Sequence, residues 1–292
     1  MALSIGISSA YLYEKKKSRE YTVYISSQFH PYVTGDINGL KGNFILDTGG
    51  TFFCKLDKGL VENLPRSHFL KKVNLFDFKG VIDEFDVRYF EKVKFLDVNI
   101  RNFSFIENLN SEKGIGETTF DIEEFFVADP SPNQEPITSF IGHKFLAGTN
   151  FFLDLKRKKM KLYKAGLVPF FDFPHRLSKK IPLFYNPSLG LICEIKTPFG
   201  NKNMLIDTGA PISILKNDPC FQSFVIKKEP TSLNKLLVSH FSIGSQSFEN
   251  QPFFIEPGFN IEGIDGILGL DFFKDKKLFI HWKDQYMCLK NN

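Results

Sequence analysis

The most chemically informative feature of the 292-residue sequence is an Asp-Thr-Gly triplet that occurs twice, at residues 47–49 and 207–209. Each triplet follows an apolar run, which predicts that each aspartate lies at the end of a buried strand. Average residue usage gives only about 0.06 chance copies of the triplet in a chain of this length. Two carboxylates held about 3 Å apart cannot both ionise, so such a pair shares one proton and supplies an acid and a base together. This is the chemistry that activates a water molecule and protonates a leaving group.

A second mark, two apolar residues followed by glycine, also occurs twice, at residues 140–142 and 267–269. The segments that begin there, residues 141–162 and 268–289, align without a gap at an offset of 127 residues. The two triplets are offset by 160 residues, so the first copy holds 33 more residues between its marks. We interpret the sequence as a duplicated domain with an insertion in the first copy. The polar segment 108–136 is the expected site of that insertion, as a surface loop.

The elements around these marks are predicted to be strands. A hairpin precedes each triplet, over residues 32–46 with a turn at Asn38-Gly39 and over residues 191–206 with a turn at Gly200-Asn201. Long helical periodicity is scarce, and only residues 145–148 and 272–275 suggest a short helical turn. The fold class is therefore predicted to be all-β. The predicted organisation is an N-terminal arm or anchor stub at 1–20, an N-terminal lobe with flap and insertion at 21–163, a proline-rich interlobe strap at 164–188 and a C-terminal lobe at 189–292.

From about residue 21 onward the chain resembles the aspartic peptidases. The resemblance rests on F-I-L-D-T-G-G with F-I-G in the first copy and on L-I-D-T-G-A with I-L-G in the second. The whole chain is similar to two retropepsin-type units fused as in the pepsin-like, single-chain arrangement. This resemblance implies a bilobal fold with two homologous β-barrel-like lobes and the active-site cleft between them. It also implies that Asp47 and Asp207 form the catalytic dyad, with an active-site scaffold of Thr48, Gly49, Thr208, Gly209, Gly142 and Gly269.

The sequence departs from the family pattern after each triplet, where Gly50 and Ala210 stand. Neither residue has the hydroxyl that pepsin-like enzymes use to hydrogen-bond the outer carboxylate oxygen. Loss of that bond is expected to make the dyad less acidic, which predicts a pH optimum from mildly acidic to near neutral. A hairpin arm over residues 73–89, with Phe78 and Gly80 at its tip, is predicted to be a flap. In the matching stretch of the second copy, residues 216–234, apolar and polar residues show little of the alternation that is typical of strands, so no flap is expected there.

Other kinds of function have little support in the sequence. The net charge of +4 is small and dispersed, which disfavours a nucleic-acid partner. The six histidines form no metal-binding pattern, and there is no phosphate-binding glycine loop or nucleophile elbow. His143 follows Gly142, and a histidine in such a position more often serves local packing than chemistry. We therefore expect no cofactor and no metal.

Two features of the sequence leave the cellular context open. The apolar segment 2–13 is too short to span a bilayer and lacks a basic region before it. It is compatible with a trimmed membrane anchor, a poor signal peptide, or a strand or arm, so a membrane tether or export stays open. The four cysteines are widely separated, and free thiols are the expectation in a chain with this much core material.

Together these observations predict a monomeric aspartic endopeptidase, because both halves of the dyad are present in one chain. An extended peptide or protein substrate is expected to bind beneath the flap through main-chain hydrogen bonds. The alternative is a catalytically inactive peptide-binding or scaffold protein with the same fold, suggested by Gly50 and by the His143-Lys144 pair. The third hypothesis is a processing enzyme that cleaves only a few substrates.

Overall fold

The computed structural model describes residues 18–26, 29–64, 67–76, 82–96, 98–108, 139–164, 179–221, 225–227 and 234–292. In this part of the chain β-strands dominate, and the α-helices are turns of four or five residues. None of the helices described is long and apolar enough to cross a membrane.

The described part of the first copy contains ten strands and two short helices. The strands are β1 (Ser18–Ile25), β2 (Pro31–Ile37), β3 (Leu40–Leu46), β4 (Cys54–Asp57), β5 (His68–Phe76), β6 (Ile82–Phe95), β7 (Val98–Asn108), β8 (Ser139–Ile141), β9 (Thr149–Asp154) and β10 (Lys159–Lys164). The helices are α1 (Lys58–Glu62), which begins where the Asp57 carboxylate accepts a hydrogen bond from the Gly59 amide, and α2 (His143–Leu146).

The described part of the second copy, with the segment that leads into it, contains eleven strands, a 3-10 turn (Pro219–Phe221) and helix α3 (Leu270–Phe273). The strands are β11 (Lys180–Pro182), β12 (Phe184–Asn186), β13 (Gly190–Thr197), β14 (Gly200–Ile206), β15 (Ile214–Lys216), β16 (Val225–Lys227), β17 (Asn234–Ile243), β18 (Gln246–Glu256), β19 (Gly266–Leu268), β20 (Lys276–His281) and β21 (Tyr286–Asn291).

Each copy closes six strands into a ring, in the same order. In the first copy the order is β2, β3, β8, β4, β7 and β6, with β6 pairing back to β2. In the second copy it is β13, β14, β19, β15, β18 and β17, with β17 pairing back to β13. In both rings the strand before the triplet pairs in parallel with the short strand that ends at the supporting glycine. The predicted duplication and the all-β class are therefore confirmed.

The predicted hairpins are present, with small shifts in position. Asn38 and Gly39 form the first turn, and both have positive φ angles, of 52° and 87°. In the second copy the turn falls on residues 198–199, before Gly200, rather than on Gly200-Asn201. The short helices α2 and α3 begin two residues earlier than predicted, directly after each supporting glycine. Backbone amides at the start of each helix are hydrogen-bonded to the loop after the triplet, which fixes where the helix starts.

The last hairpins of the two copies join in one sheet. Strand β20 pairs antiparallel with β9, with Phe279 opposite Phe152. Strand β11, from the segment predicted to be a strap, pairs with β21, and β12 pairs with β13. Strand β1 begins at Ser18, three residues before the predicted start of the first lobe, and connects β10 to β2. The sheet therefore crosses from one copy to the other and fixes their relative position.

The core is apolar and rich in phenylalanine. One large cluster of buried side chains runs through both copies. A smaller cluster in the second copy includes Leu205 and Ile212, which flank the second triplet, and has Phe29 of the first copy packed against it. All four cysteines are free thiols.

Candidate active site

Both aspartates stand immediately after the strand that the sequence assigned to them. Asp47 follows β3, and its backbone N–H donates to the Ile141 carbonyl at 3.0 Å. Asp207 follows β14, and its backbone N–H donates to the Leu268 carbonyl at 3.1 Å. Because β3 and β8 are parallel, as are β14 and β19, the carboxyl ends of the paired strands meet at each triplet.

The two supporting glycines pass directly beneath the loops that follow the triplets. A Cβ atom added to Gly142 would lie 2.1 Å from the Phe52 carbonyl oxygen, and one added to Gly269 would lie 2.3 Å from that of Ile212. The next residue in each copy then donates a backbone hydrogen bond to the loop, from Leu270 to the Ala210 carbonyl at 2.8 Å in the second copy. Only glycine fits at these two positions without moving backbone atoms.

The two threonines connect the copies through a reciprocal set of buried hydrogen bonds. The Thr48 hydroxyl donates to the Ile206 carbonyl at 2.8 Å and accepts from the Thr208 amide at 2.9 Å. The Thr208 hydroxyl donates to the Leu46 carbonyl at 2.7 Å and accepts from the Thr48 amide at 3.2 Å. Both threonines are fully buried, so no water competes for these bonds. The network holds the two triplets in one fixed relation.

The carboxyl groups of Asp47 and Asp207 are in hydrogen-bonding contact with each other. The glycines of the triplets make this approach feasible. A Cβ atom added to Gly49 would lie 2.4 Å from the Asp207 carboxyl carbon, and one added to Gly209 would lie 2.8 Å from that of Asp47. Each triplet therefore leaves room for the carboxyl group of the other.

The environment raises the pKa of both carboxyl groups. Burial raises the pKa of Asp47, and the neighbouring Asp207 raises it further. Burial also raises the pKa of Asp207, but the amides of Gly209 and Ala210, which donate to one carboxylate oxygen at 2.8 and 3.2 Å, oppose this rise. The two groups therefore share a proton and titrate as a pair.

The structure explains why residue 50 is a glycine. The Gly50 amide donates to Asp47 Oδ1 at 2.6 Å. A Cβ atom at this position would lie 2.5 Å from Asp47 Oδ2 and 2.7 Å from the Phe52 ring. Residue 50 thus has no space for a serine or alanine side chain in this arrangement, whereas Ala210 already carries a Cβ atom.

One residue at the site was not found from the sequence. His30, in the connection between β1 and β2, places Nδ1 2.6 Å from the carbonyl oxygen of Gly209. Because a carbonyl oxygen only accepts, Nδ1 carries the proton and donates. Burial lowers the pKa of His30 to about 4, so the ring is neutral at mildly acidic pH. No sequence motif indicates this contact, since the two residues are 179 positions apart.

A second missed group lies behind the second triplet. Asp271 is buried and accepts hydrogen bonds from the Ser213 hydroxyl at 2.6 Å and the Gln251 side chain at 3.2 Å. The Ser213 oxygen in turn accepts the amide of Gly269 at 3.0 Å. Burial raises the pKa of Asp271 to about 6. The supporting glycine of the second copy is therefore connected to a buried carboxyl group that the first copy lacks, because Lys144 occupies the equivalent position.

His143 packs in the interior, consistent with the packing role weighed in the sequence. Its side chain is fully buried against the rings of Tyr185 and Trp282. Burial lowers its pKa to about 4. The backbone amide of His143 donates to the Gly50 carbonyl at 3.0 Å, so the residue supports the first triplet loop through its main chain.

The proposed flap is only partly described. Strands β5 and β6 form a long antiparallel hairpin, with Phe76 opposite Ile82, but Phe78 and Gly80 lie outside the described residues. In the second copy a shorter pair, β16 and β17, occupies the equivalent place. Among the residues described, no three His, Cys, Asp or Glu side chains are grouped so that they could hold a metal ion.

Comparisons with known proteins agree on the fold. No protein-family profile matches the chain, and no curated protein sequence matches it either. Solved structures do match. An aspartic proteinase from Irpex lacteus is 12% identical, with a TM-score of 0.59, and the match covers 94% of this chain and 97% of that one. The basic 7S globulin from soybean is 8% identical, with a TM-score of 0.58, and the match covers 94% of this chain and 95% of that one. Conglutin gamma, a basic 7S globulin from lupine seeds, matches at 10% identity and a TM-score of 0.60, over 94% and 95% of the two chains. The chain has the all-β, bilobal fold of the aspartic proteinases.

Proposed function

We propose that this protein is an aspartic endopeptidase that hydrolyses peptide bonds with a water molecule activated between Asp47 and Asp207. The observation that carries the proposal is the contact of the two carboxyl groups at the junction of the copies, with both pKa values raised. A pair that shares one proton has a base to activate water and an acid to protonate the departing nitrogen. The other parts of the site, the threonine network and the close-fitting glycines, keep the carboxyl groups at that separation.

The proposed activity has a defined pH range. The productive state holds one proton on the pair, so activity falls where both groups are protonated and where both are ionised. Because burial raises both pKa values, the one-proton state extends toward neutral pH. We therefore propose an optimum that is mildly acidic to near neutral. A pH–rate profile that peaks below about pH 3.5 would contradict this proposal.

A diverse peptide library, incubated across about pH 3.5 to 7.5, tests the activity. The enzymes compared are wild type, Asp47→Asn, Asp207→Asn and the control Asp275→Asn, which changes an exposed aspartate of the second copy. We expect either dyad substitution alone to reduce cleavage by at least about a thousandfold, since each carboxyl group is half of one acid–base pair. The control is expected to cleave like wild type. Cleavage that survives Asp47→Asn or Asp207→Asn would refute the dyad.

A second candidate function is peptide binding without catalysis. It is favoured by the names of the neighbours of this fold, two of which are called basic 7S globulins rather than proteinases. A peptide with a secondary alcohol in place of the cleaved amide mimics the tetrahedral transition state and separates the two candidates. An enzyme binds this mimic at least about a hundredfold more tightly than the plain peptide, and loses that difference in Asp207→Asn. A scaffold binds both peptides equally. Cleavage of only a few library members would indicate a restricted processing enzyme.

A further inference from the structure

A cavity of about 610 Å³ opens on the second copy, beside the strand that leads to Asp207. Strands β12, β13 and β14 form one wall, and residues 262–264 form the other. Ile192 and Ile264 are buried at its base, and Phe184, which is 65% exposed, stands at its edge. The cavity is therefore open to solvent and has an apolar base.

The register of the sheet places this cavity on the same face as the catalytic carboxyl group. Side chains alternate along a strand, so Asn203 and Leu205 point to the side on which Asp207 follows. Glu194 is paired with Asn203, and Ile192 with Leu205, in the neighbouring strand. The intervening residues of β14, Met204 and Ile206, point into the main core instead. At about 3.3 Å per residue, Asn203 lies about 13 Å from Asp207 along the strand.

Among the described residues that line the cavity, the charged side chains are two glutamates, beside the neutral Asn186 and Asn203. Glu194 and Glu262 are both exposed at its rim, and no lysine or arginine of the part of the chain that the structure describes lines it. Neither glutamate forms an ion pair with a residue of the described chain. Two carboxylates above an apolar base match a long side chain that has an apolar stem and a cationic end.

We propose that this cavity binds a lysine or arginine side chain of the peptide substrate, about two to four residues from the cleaved bond. The stem of that side chain packs on Ile192 and Phe184, and its cationic group lies between Glu194 and Glu262. An extended peptide spans the distance from Asp207 to the cavity in that number of residues. This inference rests on the proposed peptidase function and adds a substrate class to it.

Pools of decapeptides test the inference, each with one position fixed as lysine, norleucine or glutamate and the others randomised. For wild type we expect kcat/KM about fivefold higher for lysine than for norleucine at one position two to four residues from the cut. The double variant Glu194→Gln, Glu262→Gln should lower this ratio to about one. The double variant Glu194→Lys, Glu262→Lys should favour the glutamate pool instead. The control Glu249→Gln, which changes an exposed glutamate on β18, should keep the wild-type ratio.

Binding of the same pools, measured by fluorescence anisotropy with wild type and the glutamine double variant, separates this inference from the proposed activity. Absence of cleavage would refute the peptidase function alone, because the ratio of dissociation constants still reports on the cavity. A preference for lysine that disappears in the double variant supports the inference, with or without cleavage. An equal lysine-to-norleucine ratio in wild type and double variant, in either assay, would overturn it.

Discussion

Substitution of Asp271 by asparagine should make the protein more stable at neutral pH and leave it nearly unchanged in acid. Asp271 is 5% exposed, and burial raises its pKa from 3.8 to about 6. In the unfolded chain the group ionises near its ordinary value, whereas in the folded protein it keeps its proton until about pH 6. The group therefore favours folding fully below pH 3.8, and this stabilisation is lost as the pH rises through 6.

The size of the effect follows from the shift of about two pKa units, at 1.36 kcal/mol per unit. Above pH 6 the folded protein carries a buried carboxylate, and the free energy of unfolding is about 3 kcal/mol lower than at acid pH, where the group is protonated in both the folded and the unfolded state. Asparagine keeps an oxygen to accept from the Ser213 hydroxyl and the Phe272 amide, at 2.6 and 2.8 Å in the wild type. The amide nitrogen of the asparagine takes the place of the second carboxylate oxygen and faces Gln251. The Gln251 side chain can rotate so that its oxygen accepts a hydrogen bond from this nitrogen. The uncharged side chain thus keeps the network without the cost of the charge.

The assay is urea denaturation of wild type and Asp271→Asn at intervals from pH 3.5 to 8. We expect the difference in unfolding free energy to be close to zero at pH 3.5 and to grow to about 3 kcal/mol in favour of the variant at pH 7.5. Asp275→Asn removes an exposed carboxylate four residues away and should change stability by less than about 0.5 kcal/mol. A difference between wild type and Asp271→Asn that does not vary with pH would refute the reasoning.

Two further substitutions test other parts of the site. Thr48→Val removes the hydroxyl that bonds the Ile206 carbonyl and the Thr208 amide, both of which are buried. Urea denaturation should therefore show an unfolding free energy that is lower by about 2–4 kcal/mol. A loss below about 0.5 kcal/mol would show that the network does not hold the copies together. Ala210→Ser adds a hydroxyl that can donate to the Asp207 carboxylate. It should lower the pKa of the pair and move the acidic limb of the kcat/KM profile down by about one pH unit, and a limb that stays in place or moves up would count against this role.

The sequence predicted those parts of the fold that depend on local patterns and on repetition. Asn38-Gly39 between two alternating runs specified a hairpin, because these residues adopt the positive φ angles that its turn requires. The repeated triplet and the repeated glycine mark, at fixed offsets, predicted two equivalent copies. The structure places the six predicted scaffold positions, four glycines and two threonines, around one junction together with both aspartates. The short helices were predicted two residues too late, since their start depends on hydrogen bonds to a loop that lies 93 residues earlier in the first copy, from His143 to Gly50, and 60 residues earlier in the second, from Leu270 to Ala210.

Strand patterns and a duplicated motif can be recognised within a few residues, so the amino-acid sequence was enough to predict the class of fold and the pair of aspartates. Which distant groups come into contact depends instead on the folded arrangement. The pairing of β9 with β20, the contact of His30 with Gly209 and the burial of Asp271 each join residues far apart in sequence. The cavity beside β14 likewise depends on which strands become neighbours. Such contacts depend on how two closed rings pack against each other, and packing is a property of the whole chain rather than of any local segment.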